Sequence, residues 1–194
     1  MKRIHYFSGI TIALFLGIHI LNHLMILHSA ELHISFMQLA RKIYRNPIVE
    51  SILLLAVGFQ IISGIALVRK RWSTLDTFFD RMHILSGLYM ALFLIIHVSA
   101  VLMGRYQFQF DTNLWYGAGV MNLWPHKVFF IPYYTLALMS FFAHIACVHR
   151  KKMEAFTTAR SAMIQSCLIL FTGVVLNSLI ILKMSNLDLP EGFH

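Results

Sequence analysis

Charged residues are scarce in this sequence of 194 residues. Asp, Glu, Lys and Arg make up 12% of it, whereas soluble globular domains carry about 25%. Hydrophobic residues make up 58%, and the mean hydropathy is +0.70. This composition excludes an ordinary soluble domain and predicts an integral membrane protein.

Five stretches are almost free of charge and long enough to cross a hydrocarbon core of ~30 Å, which takes about 20 helical residues. They are residues 4–27, 48–68, 82–104, 128–148 and 161–182. Glu50 is the one Asp, Glu, Lys or Arg among them. Together they predict an all-α protein with a single transmembrane domain, residues 1–194, in which five helices form a bundle.

Cysteine is equally scarce. The chain has two, Cys147 and Cys167, and they lie in different predicted spans. There is no C-x-x-C and no C-x-x-C-H motif, which excludes a dithiol redox motif and covalent attachment of a c-type haem. Any haem would be held by side-chain ligation alone.

Lys and Arg predict the orientation of the bundle, because cytoplasmic loops carry more of them. Ten of the 16 precede the first span or lie in segments 69–81 and 149–160, and the other six lie in 28–47, 105–127 and the C-terminal segment. We therefore expect the N-terminus inside and the C-terminus outside, in a bacterial inner membrane. The net charge of +8 is explained by this distribution of Lys and Arg among the loops and by contact with anionic lipid headgroups. No soluble segment interleaves basic and aromatic residues in the way that would indicate nucleic acid binding.

Two segments on the predicted outer side are longer than simple turns. Residues 28–47 place Leu32, Phe36 and Leu39 at helical spacing, which predicts an amphipathic helix lying on the membrane surface. Residues 105–127 mix tryptophan and tyrosine with glycine and proline. That mixture suits either an aromatic anchor at the interface or a lid over a ligand site.

A repeat links the first and third spans. Two windows of 23 residues, offset by 78 positions and aligned without a gap, share 12 identities. The repeat equates His5 with His83 and His19 with His97. The two histidines of each window lie on one helix face, because 14 residues advance ~21 Å in nearly four full turns. Since both spans run in the same direction, we expect His19 and His97 at equal depth, with converging rings if the helices face each other.

Two imidazoles at one depth predict a ligand site, whereas a lone membrane histidine usually bonds a neighbouring helix. Iron between His19 and His97 would use one lone pair of each ring, as in bis-histidine haem b, and the remaining N–H groups would bond backbone carbonyls. Zinc or copper at His19 and His23 lacks a further ligand nearby. The glycines that would admit a flat macrocycle are Gly9, Gly17 and Gly87.

At this point the sequence resembles a known family. Over nearly its whole length it is similar to the five-helix cytochrome b membrane-anchor subunit of succinate dehydrogenase and quinol:fumarate reductase, the complex II family. The resemblance rests on RIHYFSG and FLGIH in the first span, GFQIISGIAL in the second, SGLYMALFLIIHV in the third and MSFFAHIACV in the fourth. It implies two haems b held by four histidines, one on each of the first four spans. It assigns His19 and His97 to the outer haem and His144 to the inner one.

The fourth histidine of this pattern is absent, because the matching position in the second span is Gln60. Glutamine is not an axial ligand of haem b, so one haem is favoured over two. Either the outer haem alone is kept, or an inner haem recruits His5 or His83 opposite His144. His23 is the alternative to His19, because the position of the ligand in the first span varies by one helical turn among proteins of this family.

The H-x13-H spacing also resembles the cytochrome b of respiratory complex III, in which two haems stack between two helices. That resemblance implies a haem at each of the two repeated depths. The complex III protein has eight spans and long surface loops, however, and His5 lies at the headgroup boundary. His5 and His83 are better suited, together with Arg3 and Arg81, to pairing with haem propionates.

The complex II resemblance implies a subunit that passes electrons between a quinone pool and peripheral flavoprotein and iron–sulfur subunits. The chain has no flavin or iron–sulfur motif, so we do not expect it to act on a dicarboxylate by itself. The partners would dock on the inner face, at Arg69, Lys70, Arg71, Arg150, Lys151 and Lys152. A stand-alone b-type cytochrome and a haem-free anchor are the alternatives.

A quinone is expected near the outer haem, where its carbonyl oxygens need hydrogen-bond donors. The polar residues at that depth are Asn22, His23, Trp115 and His126. No span carries a central Asp, Glu, Lys or Arg, so no internal proton wire is predicted, and protons from an oxidised quinol would leave outward. The remaining outer histidines, His28, His33 and His194, are interpreted as surface residues.

Overall fold

A computed structural model describes residues 1–74 and 76–191 of the chain. These residues form seven α-helices and one short 3₁₀ helix, Trp72–Thr74, with no strand among them. The α-helices are α1 (Lys2–Met25), α2 (Ala30–Tyr44), α3 (Pro47–Arg71), α4 (Phe78–Tyr106), α5 (Leu114–Asn122), α6 (His126–Met153) and α7 (Ala159–Met184). The prediction of an all-α fold is confirmed.

Five of these helices, α1, α3, α4, α6 and α7, are long and apolar enough to cross a membrane, with 24 to 29 residues each. At 1.5 Å per residue even the shortest spans about 36 Å, which exceeds a hydrocarbon core of ~30 Å. Large apolar side chains on their outer faces stay exposed, among them Leu14, Leu55 and Leu168. The five predicted spans are confirmed, and the chain is an integral membrane protein by these features; its inside–outside orientation stays a prediction.

The five long helices are arranged as a ring. Neighbours around the ring are α1 and α3, α3 and α4, α4 and α6, and α6 and α7, and a smaller contact between α7 and α1 closes it. Across the ring, no Cα atom of α1 comes within 8 Å of one in α4, and both helices are fully described. The two helices of the sequence repeat therefore face each other across the bundle without packing directly.

Polar side chains fix where most helices begin. In α2, α3, α4, α5 and α7 the residue before the first turn accepts a hydrogen bond from a backbone N–H that has no partner inside the helix. Pro47 follows the Asn46 cap in the first turn of α3. A proline is tolerated there because its missing N–H would be unpaired anyway.

The two shorter helices lie at one end of the bundle, named here the α2–α5 end, where α1 and α4 finish and α3 and α6 begin. The helix predicted within residues 28–47 is α2, and it packs on α1 and buries His33 and Met37. The aromatic segment contains α5, which buries Leu114 and Met121 against Ile26 and the end of α7. A lid role for α5 stays a prediction.

We expect Gly173→Ala to destabilise the bundle. A Cβ atom at Gly173 would lie 2.5 Å from Cβ and Cγ of Phe142 in α6, which is closer than packed atoms approach. Small residues let membrane helices pack at this distance, and overpacking costs about 1–3 kcal/mol. The melting temperature of the purified protein in detergent is the measurement. The matched control is Gly58→Ala, where a Cβ meets no atom within 4 Å; equal melting temperatures for both variants would contradict the α6–α7 packing.

Candidate functional site

Two histidines from different spans meet near the α2–α5 end. His19 of α1 and His97 of α4 have ring centroids 6.5 Å apart. Each ring stacks on a phenylalanine one turn earlier in its own helix, His19 on Phe15 at 5.7 Å and His97 on Phe93 at 4.9 Å. Residues one turn apart are neighbours on a helix surface, so each phenylalanine orients its histidine. The expected convergence of the two rings is observed, and their ligand roles stay predictions.

His23 extends this pair by one turn of α1. Its Nε2 atom lies 3.2 Å from Nε2 of His19, so one ring donates its N–H to the lone pair of the other. Its ring centroid lies 5.4 Å from that of His33 in α2. His23 therefore stays the alternative to His19 as a ligand from α1.

His33 is the site residue that the sequence interpretation missed. It was expected at the surface, but it is 2% exposed and its Nε2 lies 3.2 Å from Nδ2 of Asn22, which is 6% exposed. Burial, then the nearby His19 and Arg41, lower the pKa of His33 to about 4. The ring is neutral at pH 7 and accepts a hydrogen bond from the Asn22 amide. One signal was available, because His33 and Met37 lie a turn apart on the same face of α2.

The His19 cluster comprises His19, Asn22, His23, His33 and His97. Three of its buried polar atoms have no hydrogen-bond partner among the described residues: Oδ1 of Asn22, Nδ1 of His23 and Nδ1 of His33. A buried donor or acceptor without a partner costs roughly 1–3 kcal/mol. The cluster therefore has unused capacity for a polar ligand.

The spacing of His19 and His97 suits two axial ligands of one iron atom. A metal bonded at about 2 Å to one nitrogen of each ring, with the rings on opposite sides, separates the ring centres by roughly 6 Å. The observed centroid separation is 6.5 Å. The crevice beside His19, lined by Phe15, Asn22 and Tyr44 among others, is narrow. A flat macrocycle would need these side chains to swing aside.

At the opposite end of the bundle the histidines form a tighter contact. The ring centroids of His83 in α4 and His144 in α6 are 4.4 Å apart, and Nδ1 of His144 lies 3.2 Å from the backbone oxygen of His83. This separation is too short for an iron atom between the rings, which needs roughly 6 Å between ring centres. The His83–His144 pair is therefore brought together, but not at the spacing of two axial ligands.

His5 is hydrogen-bonded to α3. Its Nε2 lies 3.3 Å from Nε2 of Gln60, and its Nδ1 lies 3.1 Å from Oγ of Ser63. Ser8 completes the group by donating to Oε1 of Gln60 at 2.6 Å. Gln60, which stands at the expected ligand position, is here a hydrogen-bonding partner of His5.

Glycines make room for these polar side chains. A Cβ atom at Gly64 would lie 3.3 Å from Cε1 of His5, and one at Gly87 would lie 3.2 Å from Cε1 of His144. A Cβ atom at Gly9 would meet the Gln60 amide at 3.4 Å, and one at Gly17 would meet no atom within 4 Å. In this structure Gly9 and Gly87 thus admit side chains of neighbouring helices instead of the flat macrocycle expected for them.

The remaining predicted site residues lie apart from the His19 cluster. Arg3 and Arg81 are exposed at the opposite end, where Arg81, Trp72, Ile84 and Leu85 line a cavity of about 360 Å³. At the α2–α5 end, Trp115 packs against the hydrophobic residues around Met121. His28 and His126 are exposed, and His194 lies outside the described residues.

A site that holds a metal ion alone is not formed. Within residues 1–74 and 76–191, no group of three or more His, Cys, Asp or Glu side chains is positioned to bind a metal. Haem iron needs two protein ligands, because the macrocycle supplies the other four. The pair His19 and His97 would be sufficient for iron in a haem, which needs no third protein ligand.

Comparisons of the chain with protein-family models, curated proteins and solved structures found no match.

Proposed function

We propose that this chain is the haem b-binding membrane subunit of an electron-transfer complex, working between a quinone pool and peripheral flavoprotein and iron–sulfur subunits. The observation that carries the proposal is the 6.5 Å separation of the His19 and His97 rings, on two helices that face each other without packing directly. A haem b held there would supply one-electron oxidation and reduction. The family resemblance of the sequence points the same way.

The residues of the cluster have distinct roles in this proposal. His19 and His97 would each hold the iron through one ring nitrogen, and Phe15 and Phe93 stack on the two rings and hold them in place. His23 would give up its hydrogen bond to His19 if that nitrogen binds iron. The apolar spans around the cluster exclude water, which favours neutral imidazoles with free lone pairs.

One haem per chain is favoured over two. At the opposite end the His83 and His144 centroids are 4.4 Å apart, and His5 is already bonded to Gln60 and Ser63. A second haem would have to break these contacts before any pair of rings reached the spacing of axial ligands. This arrangement also disfavours a complex III-like pair of His5 and His83.

The quinone headgroup is proposed to bind at Asn22, His23 and His33. These side chains carry the three buried polar atoms without partners, and they adjoin His19, so that a bound quinone would lie close to the haem. Trp115 and His126, the other residues considered from depth, make no hydrogen bond to this group. They are less suited to hold the headgroup.

The partner subunits are proposed to dock at the opposite end, on the basic last turns of α3 and α6. Arg69, Lys70 and Lys151 are exposed there. Arg150 is tied to the bundle by Glu154 at 3.1 Å and by the Phe79 ring at 4.0 Å. A positive rim of this kind steers an acidic partner surface.

A haem-free membrane anchor is the second candidate. It is favoured by the hydrogen bonds that satisfy His5 and His144 without any cofactor. A stand-alone b-type cytochrome differs from the leading proposal only in lacking partner subunits. Red membranes with a reduced-minus-oxidised b-type spectrum separate both cytochromes from the anchor, and co-purification of flavin and iron–sulfur subunits separates the complex from the stand-alone protein.

We expect His19→Ala and His97→Ala each to abolish the low-spin b-type spectrum of the purified protein, because the iron loses one of two axial nitrogens. The control is His28→Ala, an exposed histidine of the same end, which should keep the spectrum intact. A complete bis-histidine spectrum in either variant contradicts the assignment of that residue. If the His19→Ala variant keeps the spectrum, the same measurement on His23→Ala shows whether His23 is the ligand from α1.

The expected haem content is one per chain, measured as pyridine haemochrome against quantified protein. Gln60→His tests whether a second haem is missing because this position lacks a histidine. A haem content that rises toward two per chain would support that explanation. Gln107→His, which adds a histidine at an exposed position, should leave the ratio unchanged. A wild-type value near two contradicts the single-haem proposal and favours His144 with His5 or His83.

An Asn22→Leu/His33→Leu double variant should slow quinol-dependent haem reduction in membranes. Loss of one hydrogen bond, about 1–1.5 kcal/mol, corresponds to a change of about tenfold, and the double variant keeps His19, His23 and His97 themselves. His126→Leu, at the same end, serves for comparison and should leave the rate unchanged. If the double variant keeps its haem and its rate of haem reduction, the quinone site lies elsewhere. A lower rate in His126→Leu would indicate a site at the start of α6.

A further inference from the structure

Three arginines gather at the α2–α5 end, beside the His19 cluster. Arg41 of α2 pairs with Asp111 at 2.8 Å, and Arg105 of α4 pairs with Glu50 of α3. Arg45, which follows α2 directly, bonds through Nη2 to the Thr112 hydroxyl at 3.0 Å. The three side chains thus come from different parts of the chain and meet between α2, α3, α4 and the segment that leads to α5.

The charges of this group do not balance. Asp111 and Glu50 are each taken by one arginine, and Arg45 has no carboxylate partner among the described residues. Nε of Arg45 and Nε of Arg41 are buried and lack hydrogen-bond partners there. Burial, followed by the nearby charges of Arg41 and Arg105, lowers the pKa of the Arg45 guanidinium. Asp111 offsets part of this effect. An arginine stays charged in a protein, so the three arginines exceed the two carboxylates of the group by one positive charge.

The group also lies where the membrane-spanning helices α3 and α4 begin and end. Arg45 precedes the first residue of α3, and Arg105 stands one residue before the end of α4, so both mark the boundary of the membrane-spanning helices. The headgroups of phospholipids occupy this boundary, and amphipathic helices such as α2 lie in it. Guanidinium groups match phosphate oxygens with paired hydrogen bonds, which makes arginine the preferred residue for such contacts.

We propose that Arg45, flanked by Arg41 and Arg105, binds a phosphate group at the α2–α5 end of the bundle. The source is either a phospholipid headgroup or free phosphate, and both would present the same oxygens to the guanidinium. The bound anion neutralises the unbalanced charge and satisfies buried N–H donors. It also ties α2 to the ends of α3 and α4, beside the His19 cluster that α2 covers with His33.

The test is native mass spectrometry of the full chain in detergent, titrated separately with phosphatidylglycerol, diacylglycerol and inorganic phosphate. We expect one molecule of phosphatidylglycerol to be retained and diacylglycerol, which lacks the phosphate, to be lost. Arg45→Gln should weaken retention about tenfold or more, because bonds to charged groups are the strong ones. The matched control is Lys42→Gln, which removes the same charge from an exposed position in α2 and should retain the lipid as wild type does.

The two sources give different results. Inorganic phosphate that competes with phosphatidylglycerol identifies a general phosphate site, whereas lipid retention unaffected by millimolar phosphate identifies a headgroup site. Equal retention in wild type and Arg45→Gln, or an equal loss in Lys42→Gln, overturns the proposal.

Two further variants cover the case in which Arg45→Gln does not fold. Arg45→Lys keeps the charge and loses the paired donors, and Thr112→Val removes the hydroxyl that holds Arg45 without changing any charge. Both should weaken retention of phosphatidylglycerol while preserving the helical circular dichroism of the wild type. Wild-type retention in both folded variants contradicts the assignment to Arg45.

Discussion

Polar side chains between the spans need partners on neighbouring helices, because the hydrocarbon core of a membrane supplies none. His5 reaches Gln60 of α3, Asn22 reaches His33 of α2, and His144 reaches a backbone oxygen of α4. Each of these bonds joins two helices that pack side by side. The same contacts between helices therefore set the order of the helices around the ring and provide hydrogen bonds for its buried histidines.

The two ends of the bundle meet this constraint to different degrees. At the opposite end, His5, Gln60, Ser8 and Ser63 bond one another, and glycine positions make room for the larger side chains. The His19 cluster instead keeps three buried atoms without partners. Satisfied polar groups rigidify a bundle, whereas unsatisfied ones lower the cost of taking up a ligand. This difference is the physical reason for assigning the cofactor and the quinone to the α2–α5 end.

Position along each span could be predicted from the sequence, and rotation about each helix could not. The five spans follow from length and hydropathy, and the meeting of His19 and His97 follows from counting residues along two parallel helices. The burial of His33 depends on which face α2 turns toward α1. Leu32 and Leu39 of the predicted apolar stripe stay exposed, and His33 and Met37 are buried instead. From the sequence, Gln60 stood at the position expected for a haem ligand. Its partner is His5, which is its neighbour because α1 packs on α3. The short helix α5 was hidden by glycine and aromatic residues that also suit a loop.

The sequence repeat shows how far neighbours decide the role of a histidine. His5 and His83 occupy equivalent positions, yet His5 turns to α3, where Gly64 leaves space for it, and His83 contacts His144 of α6 beside Gly87. Repeated residues therefore share a depth without sharing a partner. His19 and His97 remain an equivalent pair, because their rings approach to 6.5 Å from two helices that do not pack directly. The proposed haem would bridge α1 and α4 at this point, where α3 packs against both helices and keeps them apart.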